Sequence, residues 1–270
     1  MMHFTSDETD QADKILKICR IIEYFLECFQ TVYRPGPNIS IDESLMQWQG
    51  RLSFKQFTRN KKTRYGIKFY EVCDTENGYV YNFKIYTGKD TSTQQKRSFI
   101  GVSGKVVLDM LGDLGKQSRS LYIDNWYSSP WLFKRLHDEK TNVWTVKINR
   151  MYMPKLSNKL KEGQMKIFST PQMCFMAWKD KRLVTMLSTM HSPQMITTDK
   201  IDYRTGETEV KPNIVVSYNK NMGRVNLLDQ TICPYRTPRK SIKWYIKTYF
   251  HLLDIAIFNA LVVYNIIHPT

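Results

Sequence analysis

The chain has 270 residues, 42% of them hydrophobic, enough to bury the core of one large domain or two modest ones. Lys and Arg total 40 against 25 Asp and Glu, a formal net charge of +15, which favours a polyanionic partner, either nucleic acid or an anionic membrane face. Cys19, Cys28, Cys73, Cys174 and Cys233 show neither CxxC nor His-paired spacing, and His137, His191, His251 and His268 have no partner spacing, so neither a zinc site nor a disulfide framework is expected.

In chain order, the N-terminal MMHFTSDETD is acidic and lacks an apolar h-region, so no secretory signal is expected. Apolar residues at Ile15, Ile18, Cys19, Ile22, Phe25, Leu26 and Phe29 predict an amphipathic helix over 12–33, ended by the break RPGPN. Asp42 and Glu43 precede the first expected strand and are read as structural or capping residues. YGIKFYEVCD (65–74) and GYVYNFKIYTG (78–88) predict a β-hairpin turning at TEN. Residues 102–114 predict a helix, 120–126 a short strand, 130–139 a helix and 142–148 another strand, an alternation that indicates an α/β sheet with helices packed on it. From about 150 to 212 short segments rich in Met, Lys and Pro predict a β-rich insertion. Helical periodicity returns over 217–230 and again from about Ile242 to Ile267. The apolar run 255–267 is shorter than the roughly 20 residues a bilayer span needs, and Asn259 and Asn265 interrupt it, so a buried helix is expected rather than a membrane anchor.

The positive charge is concentrated in two acid-free runs. One holds Arg51, Lys55, Arg59, Lys61, Lys62, Arg64 and Lys68, with Phe54, Phe57 and Tyr65 interleaved. The other holds Arg236, Arg239, Lys240, Lys243 and Lys247 beside Tyr235, Trp244 and Tyr245. Cations neutralise phosphates and aromatic rings stack on bases, so this mixture suits nucleic acid better than lipid. A solvated cationic face is the alternative reading. No small-molecule substrate is indicated.

Asp74 closes one apolar strand and Asp124 another. The carboxyl ends of neighbouring strands in an open α/β sheet converge on one crevice, where carboxylates can hold divalent cations for phosphodiester displacement. The alternative is ordinary: an Asp at a strand end is a common turn residue or cap.

Residues 40–89 resemble the piggyBac family of transposases and transposase-derived proteins, and so do YIDNWYSSPWL (122–132), KPNIVVSYNKNMGRVNLLDQ (211–230) and FHLLDIAIFNALVVYN (250–265). The blocks occur in the family's order. The resemblance implies an RNase H-like α/β core, a mixed sheet flanked by helices and interrupted by a β-rich insertion. It divides the chain into the end of an N-terminal helical DNA-binding and dimerisation region (1–38), a first part of the core (39–149), the insertion (150–212) and the C-terminal helices of the core (213–270). The implied activity is Mg²⁺-dependent cut-and-paste DNA transposition, from transposon ends to TTAA targets; a homodimer is a candidate assembly, and a nuclear location is expected from DNA as the partner. RNKKTR (59–64) doubles as a candidate import signal. Members often carry a Cys-rich zinc-binding tail after this core. The sequence stops at Thr270 without one, so zinc is not expected.

Carried over by resemblance, the first two catalytic and metal-binding carboxylates fall on Asp74 and Asp124. The third lies in the pattern MGGVDxxDQ, which here reads MGRVNLLDQ: Arg224 replaces a glycine, Asn226 replaces the third aspartate and Asp229 is kept. An amide offers a carbonyl oxygen to a metal but carries no charge and cannot act as a base. Impaired strand cleavage is therefore expected, the alternative being an active Mg²⁺-dependent enzyme using Asp74, Asp124 and Asp229. Arg224 is read either as a clamp on a DNA phosphate or as relaxed constraint on a decayed site.

Overall fold

The structure is a computed structural model that describes residues 14–59, 64–88, 100–144, 150–156, 160–190, 192–201, 206–223, 231–232, 237 and 241–269. In chain order its elements begin with helix α1 (Cys19–Val32) and strands β1 (Asn38–Gln47), β2 (Gln56–Phe57), β3 (Tyr65–Asp74) and β4 (Val80–Ile85). Helix α2 (Gly101–Leu111), strand β5 (Ser120–Ile123), helix α3 (Pro130–Asp138) and strand β6 (Asn142–Trp144) follow. Strands β7 (Met165–Ser169), β8 (Cys174–Lys179), β9 (Leu183–Ser188), β10 (Met195–Ile201) and β11 (Thr208–Pro212) lead to helices α4 (Asn213–Met222) and α5 (Trp244–Ile267). The α/β class expected from the sequence is the class observed. The chain divides into two compact units, the first comprising residues 1–36, 41–96 and 224–270 and the second residues 37–40 and 97–223.

In the first unit, α1 buries Ile22, Phe25 and Phe29, positions three and seven residues apart on one helical face. These meet Phe69 of β3, Phe83 of β4, and Leu252 and Ile255 of α5 in one core. β3 pairs antiparallel with β2, setting Phe57 opposite Tyr65, and with β4, setting Cys73 opposite Val80 across an irregularity at Val72/Cys73. A Cβ at residue 66 would collide with the Met46 carbonyl, so Gly66 is what allows β1 and β3 to approach.

Strand β1 corrects the sequence reading. Asp42 and Glu43 lie inside it, not ahead of the first strand. Ile39, Ile41, Leu45 and Met46 are buried, but two adjacent acids interrupt the period-two alternation that would have revealed a strand. Glu43 is held by Lys68 at 2.5 Å.

The helix expected from about Ile242 to Ile267 is observed as α5, and only the reading of its apolar run as too short for a bilayer span is corrected. The apolar run 255–267 is only part of a 24-residue helix, long and apolar enough by length and composition to cross a membrane. In this structure α5 instead places Leu252, Ile255 and Val262 in the core that α1 lines. Asn259, which reads from sequence as an interruption, is 3% exposed and brackets Val80: its Oδ1 accepts from the Val80 N–H and its Nδ2 donates to the Val80 carbonyl, both at 2.9 Å. Each backbone group of that buried strand residue is thereby satisfied by a side chain 179 positions away.

In the second unit, β5 and β6 run parallel, β6 pairs antiparallel with β9, and β9, β8 and β7 continue antiparallel. β10 and β11 form a separate two-stranded ribbon. Helix α4 begins at Asn213, four residues before the expected 217, because Asn213 is tied to Gln194: its N–H donates to the Gln194 carbonyl at 2.8 Å and its Oδ1 accepts from the Gln194 N–H at 3.1 Å. Ile214 and Val215 of α4 pack on Tyr122, Met176, Trp178 and Met186. At α3, Pro130 occupies the first turn and Ser129 Oγ accepts from the Leu132 N–H at 3.2 Å, the capping chemistry that starts a helix at this point.

Replacing Asn259 with Leu removes both partners of a buried N–H and C=O, and unfolding in urea should show a loss of about 2–4 kcal/mol at unchanged m-value.

Candidate functional site

Asp74 ends β3 in the first unit and is 1% exposed. Its Oδ2 accepts from the Tyr33 hydroxyl at 2.9 Å and from the Gly36 N–H at 2.6 Å, and its Oδ1 accepts from the Glu76 N–H at 2.7 Å. Its backbone carbonyl accepts from the Gly78 N–H at 3.0 Å. Gly78 has φ +83°, a conformation that favours glycine and lets the TENG turn close over the strand end. The ordinary reading of this Asp as a turn residue is therefore correct for its Oδ1. Through Oδ2 it also fastens the chain just after α1 to the end of β3. Neither Tyr33 nor Gly36 was singled out in the sequence, and no local signal identifies them, since they stand 41 and 38 residues away.

Tyr33 is the centre of a small polar relay. Its hydroxyl donates to Asp74 and accepts from Asn77 Nδ2 at 2.7 Å, while its ring lies 4.6 Å from that of Tyr79. Burial, opposed by the Asn77 hydrogen bond and reinforced by the negative charge of Asp74, pushes the Tyr33 phenol up to about 12. Tyr79 is likewise pushed up to about 12, chiefly by burial. Its hydroxyl donates to the Phe29 carbonyl at 2.9 Å.

Asp124 follows β5 in the second unit and is exposed. Its carbonyl accepts from the Tyr127 N–H at 3.0 Å and its Oδ2 from the Trp126 N–H at 3.4 Å, which makes a turn here and ends the strand at Ile123, short of the expected 126. Two residues that sequence reasoning missed brace this turn. Arg150 Nη2 donates to the carbonyls of Asn125 and Trp126 at 3.0 and 2.6 Å, and Tyr218 donates to the carbonyl of Ile123 at 3.4 Å.

Asn226, Asp229 and Arg224 lie outside the described residues, as do Lys61, Lys62, Arg236, Arg239 and Lys240. Among the described residues no group of three or more His, Cys, Asp or Glu side chains could hold a metal ion. By donor chemistry, Asp74 and Asp124 suit a hard cation such as Mg²⁺. Three hydrogen bonds on Asp74 leave part of a carboxylate's acceptor capacity, which is about four lone-pair sites, unused. Among the described residues, the Asp124 side chain has one hydrogen bond, a long one from the Trp126 N–H.

The basic residues of the first run divide into two kinds. Arg51, Arg59 and Arg64 are exposed. Lys55 is half-buried and donates to the carbonyls of Gln49 and Gly50 at 3.2 and 3.1 Å, and Lys68 pairs with Glu43. The interleaved aromatics divide in the same way: Phe54 is 2% exposed and packs edge-on to Trp244, whereas Phe57 and Tyr65 are 56% and 49% exposed.

The family model described as Transposase IS4 matches residues 1–261. The human PiggyBac transposable element-derived protein 2 is 26% identical over 276 residues, covering 96% of this chain and 46% of that protein. The human PiggyBac transposable element-derived protein 3 is 27% identical over 270 residues, covering 93% of this chain and 44% of that protein. The fold matches the cryo-EM structure of a piggyBac transposase synaptic complex with hairpin DNA at a TM-score of 0.80 and 26% identity, over 94% of this chain and 52% of that one. The chain thus spans about half the length of the relatives it matches.

Substituting Asp74 with Ala strands the Gly36 and Glu76 N–H groups together with the Tyr33 hydroxyl, and denaturant unfolding should register a loss of about 2–4 kcal/mol; Asp74→Asn should lose less, since one acceptor oxygen remains. In an alkaline titration followed by phenolate absorbance, Tyr33 and Tyr79 should ionise late, ahead of Tyr70, whose phenol burial pushes up further. Because their folded values stand above the ordinary 10, the stability that they contribute is whole below pH 10 and is lost as pH rises towards about 12.

Proposed function

The chain belongs to the transposase IS4 family and has its RNase H-like α/β fold, and from that membership we propose that it is a transposase-derived DNA-binding protein whose strand-cleaving chemistry is impaired. The observation that carries the impairment is the block MGRVNLLDQ, which matches the family pattern on both sides of residue 226 and has an amide where the pattern has a carboxylate.

In this reading Asp74 and Asp124 supply two of the carboxylates that hold Mg²⁺, and Asn226 takes the third place without charge. The bound metal, as a Lewis acid, would stabilise charge on phosphate oxygens. The chain's own part is positional. Tyr33, Gly36 and the TENG turn fix the Asp74 carboxylate, while Arg150 and Tyr218 brace the turn that presents Asp124. Asp229 stands three positions after Asn226 in the sequence and is a separate position of the family pattern, so in this reading it does not replace the missing carboxylate. Cleavage should therefore fall on the order of 10⁴-fold below a complete carboxylate set, in line with catalytic groups that act as a unit.

DNA binding is the retained activity. It is supported by the +15 charge, by exposed Arg51, Arg59 and Arg64, and by a structural relative solved with hairpin DNA. Transposon ends with TTAA targets, a homodimer and a nuclear location belong to the same proposal.

Purified protein with Mg²⁺ or Mn²⁺ and a nicked or hairpin DNA should show no turnover, and Asn226→Asp should restore some. Robust wild-type cleavage abolished by Asp229→Ala would overturn the impairment and establish the active-enzyme alternative. DNA affinity should fall steeply with salt.

A further inference from the structure

We propose that the β2–β3 hairpin is a base-stacking platform, on which Phe57 and Tyr65 take an unpaired nucleobase of single-stranded DNA. This rests on the DNA-binding reading and names the form of DNA that the surface prefers.

The two rings are cross-strand partners, with centroids 4.8 Å apart and planes inclined at 44°. Both are about half exposed, while Phe54, three residues before Phe57, is wholly packed away. The exposure is therefore specific to one pair and not a property of the whole segment. Large aromatic rings held in water lose burial energy, and two held side by side in water form a concentrated apolar surface.

Their backbone is fixed in place. The Trp48 N–H donates to the Tyr65 carbonyl at 3.1 Å, and the Thr58 N–H donates to the Arg64 carbonyl at 2.8 Å, closing the hairpin just past the pair. A platform already ordered before binding loses little entropy when a ligand lands on it.

The surrounding charge points to the occupant. Lys55 Nζ stands 5.7 Å from the Tyr65 ring centroid, Arg64 is the residue before Tyr65, Arg59 follows Phe57 by two positions, and both arginines are exposed. No Asp or Glu occurs between Arg51 and Lys68. The nearby Glu43 is engaged by Lys68. An apolar protein partner would gain nothing from these cations, and a lipid surface would not need two rings at stacking distance. A polyanion with flat apolar faces meets both requirements. In a duplex those faces are covered by neighbouring base pairs, so the platform selects an unpaired base, without reading its identity.

The test is fluorescence anisotropy with labelled oligothymidine of about 20 nucleotides and with a duplex of the same length. The double variant Phe57→Leu/Tyr65→Leu keeps the apolar bulk and removes both π faces. Its single-strand affinity should fall roughly 10- to 100-fold while duplex affinity stays within about twofold. An equal loss on both probes, or no loss on the single strand, overturns the platform and leaves the DNA-binding reading intact. Wild-type protein that binds neither probe overturns both. Ultraviolet cross-linking of the wild-type protein to an oligonucleotide carrying 5-iododeoxyuridine gives a readout independent of the variant's folding. Adducts on the peptide holding Phe57 or Tyr65 support the platform, and adducts found only elsewhere overturn it.

Discussion

One buried amide ties the ends of the first unit together. Asn259 sits on the buried face of α5, beside Ile255 and Val262, and satisfies both the donor and the acceptor of Val80. A strand residue with neither group paired would carry a desolvation cost that apolar packing cannot recover. With Asn259 in place, α5 is not interchangeable with any other greasy helix: its rotation and its register along β4 are both set. The same contact seats one face of a segment with the length and apolar character of a membrane span against the core that α1 lines.

The consequences run along the sheet. β4 pairs with β3, β3 ends at Asp74, and Asp74 gathers Tyr33, Gly36 and Glu76 around its carboxylate. A group committed to three internal donors serves structure first. That commitment is compatible with cation binding, because a carboxylate has more acceptor capacity than three hydrogen bonds consume. It also holds the oxygen positions fixed, which suits metal ligation, where distance tolerances are a few tenths of an ångström. Asp124 is its opposite, exposed and held chiefly through its backbone. In the proposed site one carboxylate is rigid by burial and the other accessible by exposure.

The cationic run shows a related division of labour. Lys55 and Lys68 are spent on carbonyls and on Glu43, and they stiffen the surface on which the arginines stand. Lysine suits the internal role because one ammonium can satisfy several single acceptors, whereas the planar guanidinium matches phosphate in a fork. Counting charges in a sequence overstates the number available to a partner.

Much of this was legible in the residues themselves. Local periodicity revealed the helices, the hairpin at TENG and the alternation of strand and helix, because each depends on neighbours within a few positions. Motif order carried the family and exposed the amide at 226. Strand β1 escaped because two adjacent acids, one of them paired with Lys68 of β3, broke its alternation. Whether an aromatic in the basic run is buried like Phe54 or exposed like Phe57, and that Tyr33 and Gly36 donate to Asp74, were decided by tertiary structure alone. Those outcomes depend on contacts across tens to hundreds of residues, and a hydrogen bond spanning 179 positions leaves no trace in the spacing of either partner.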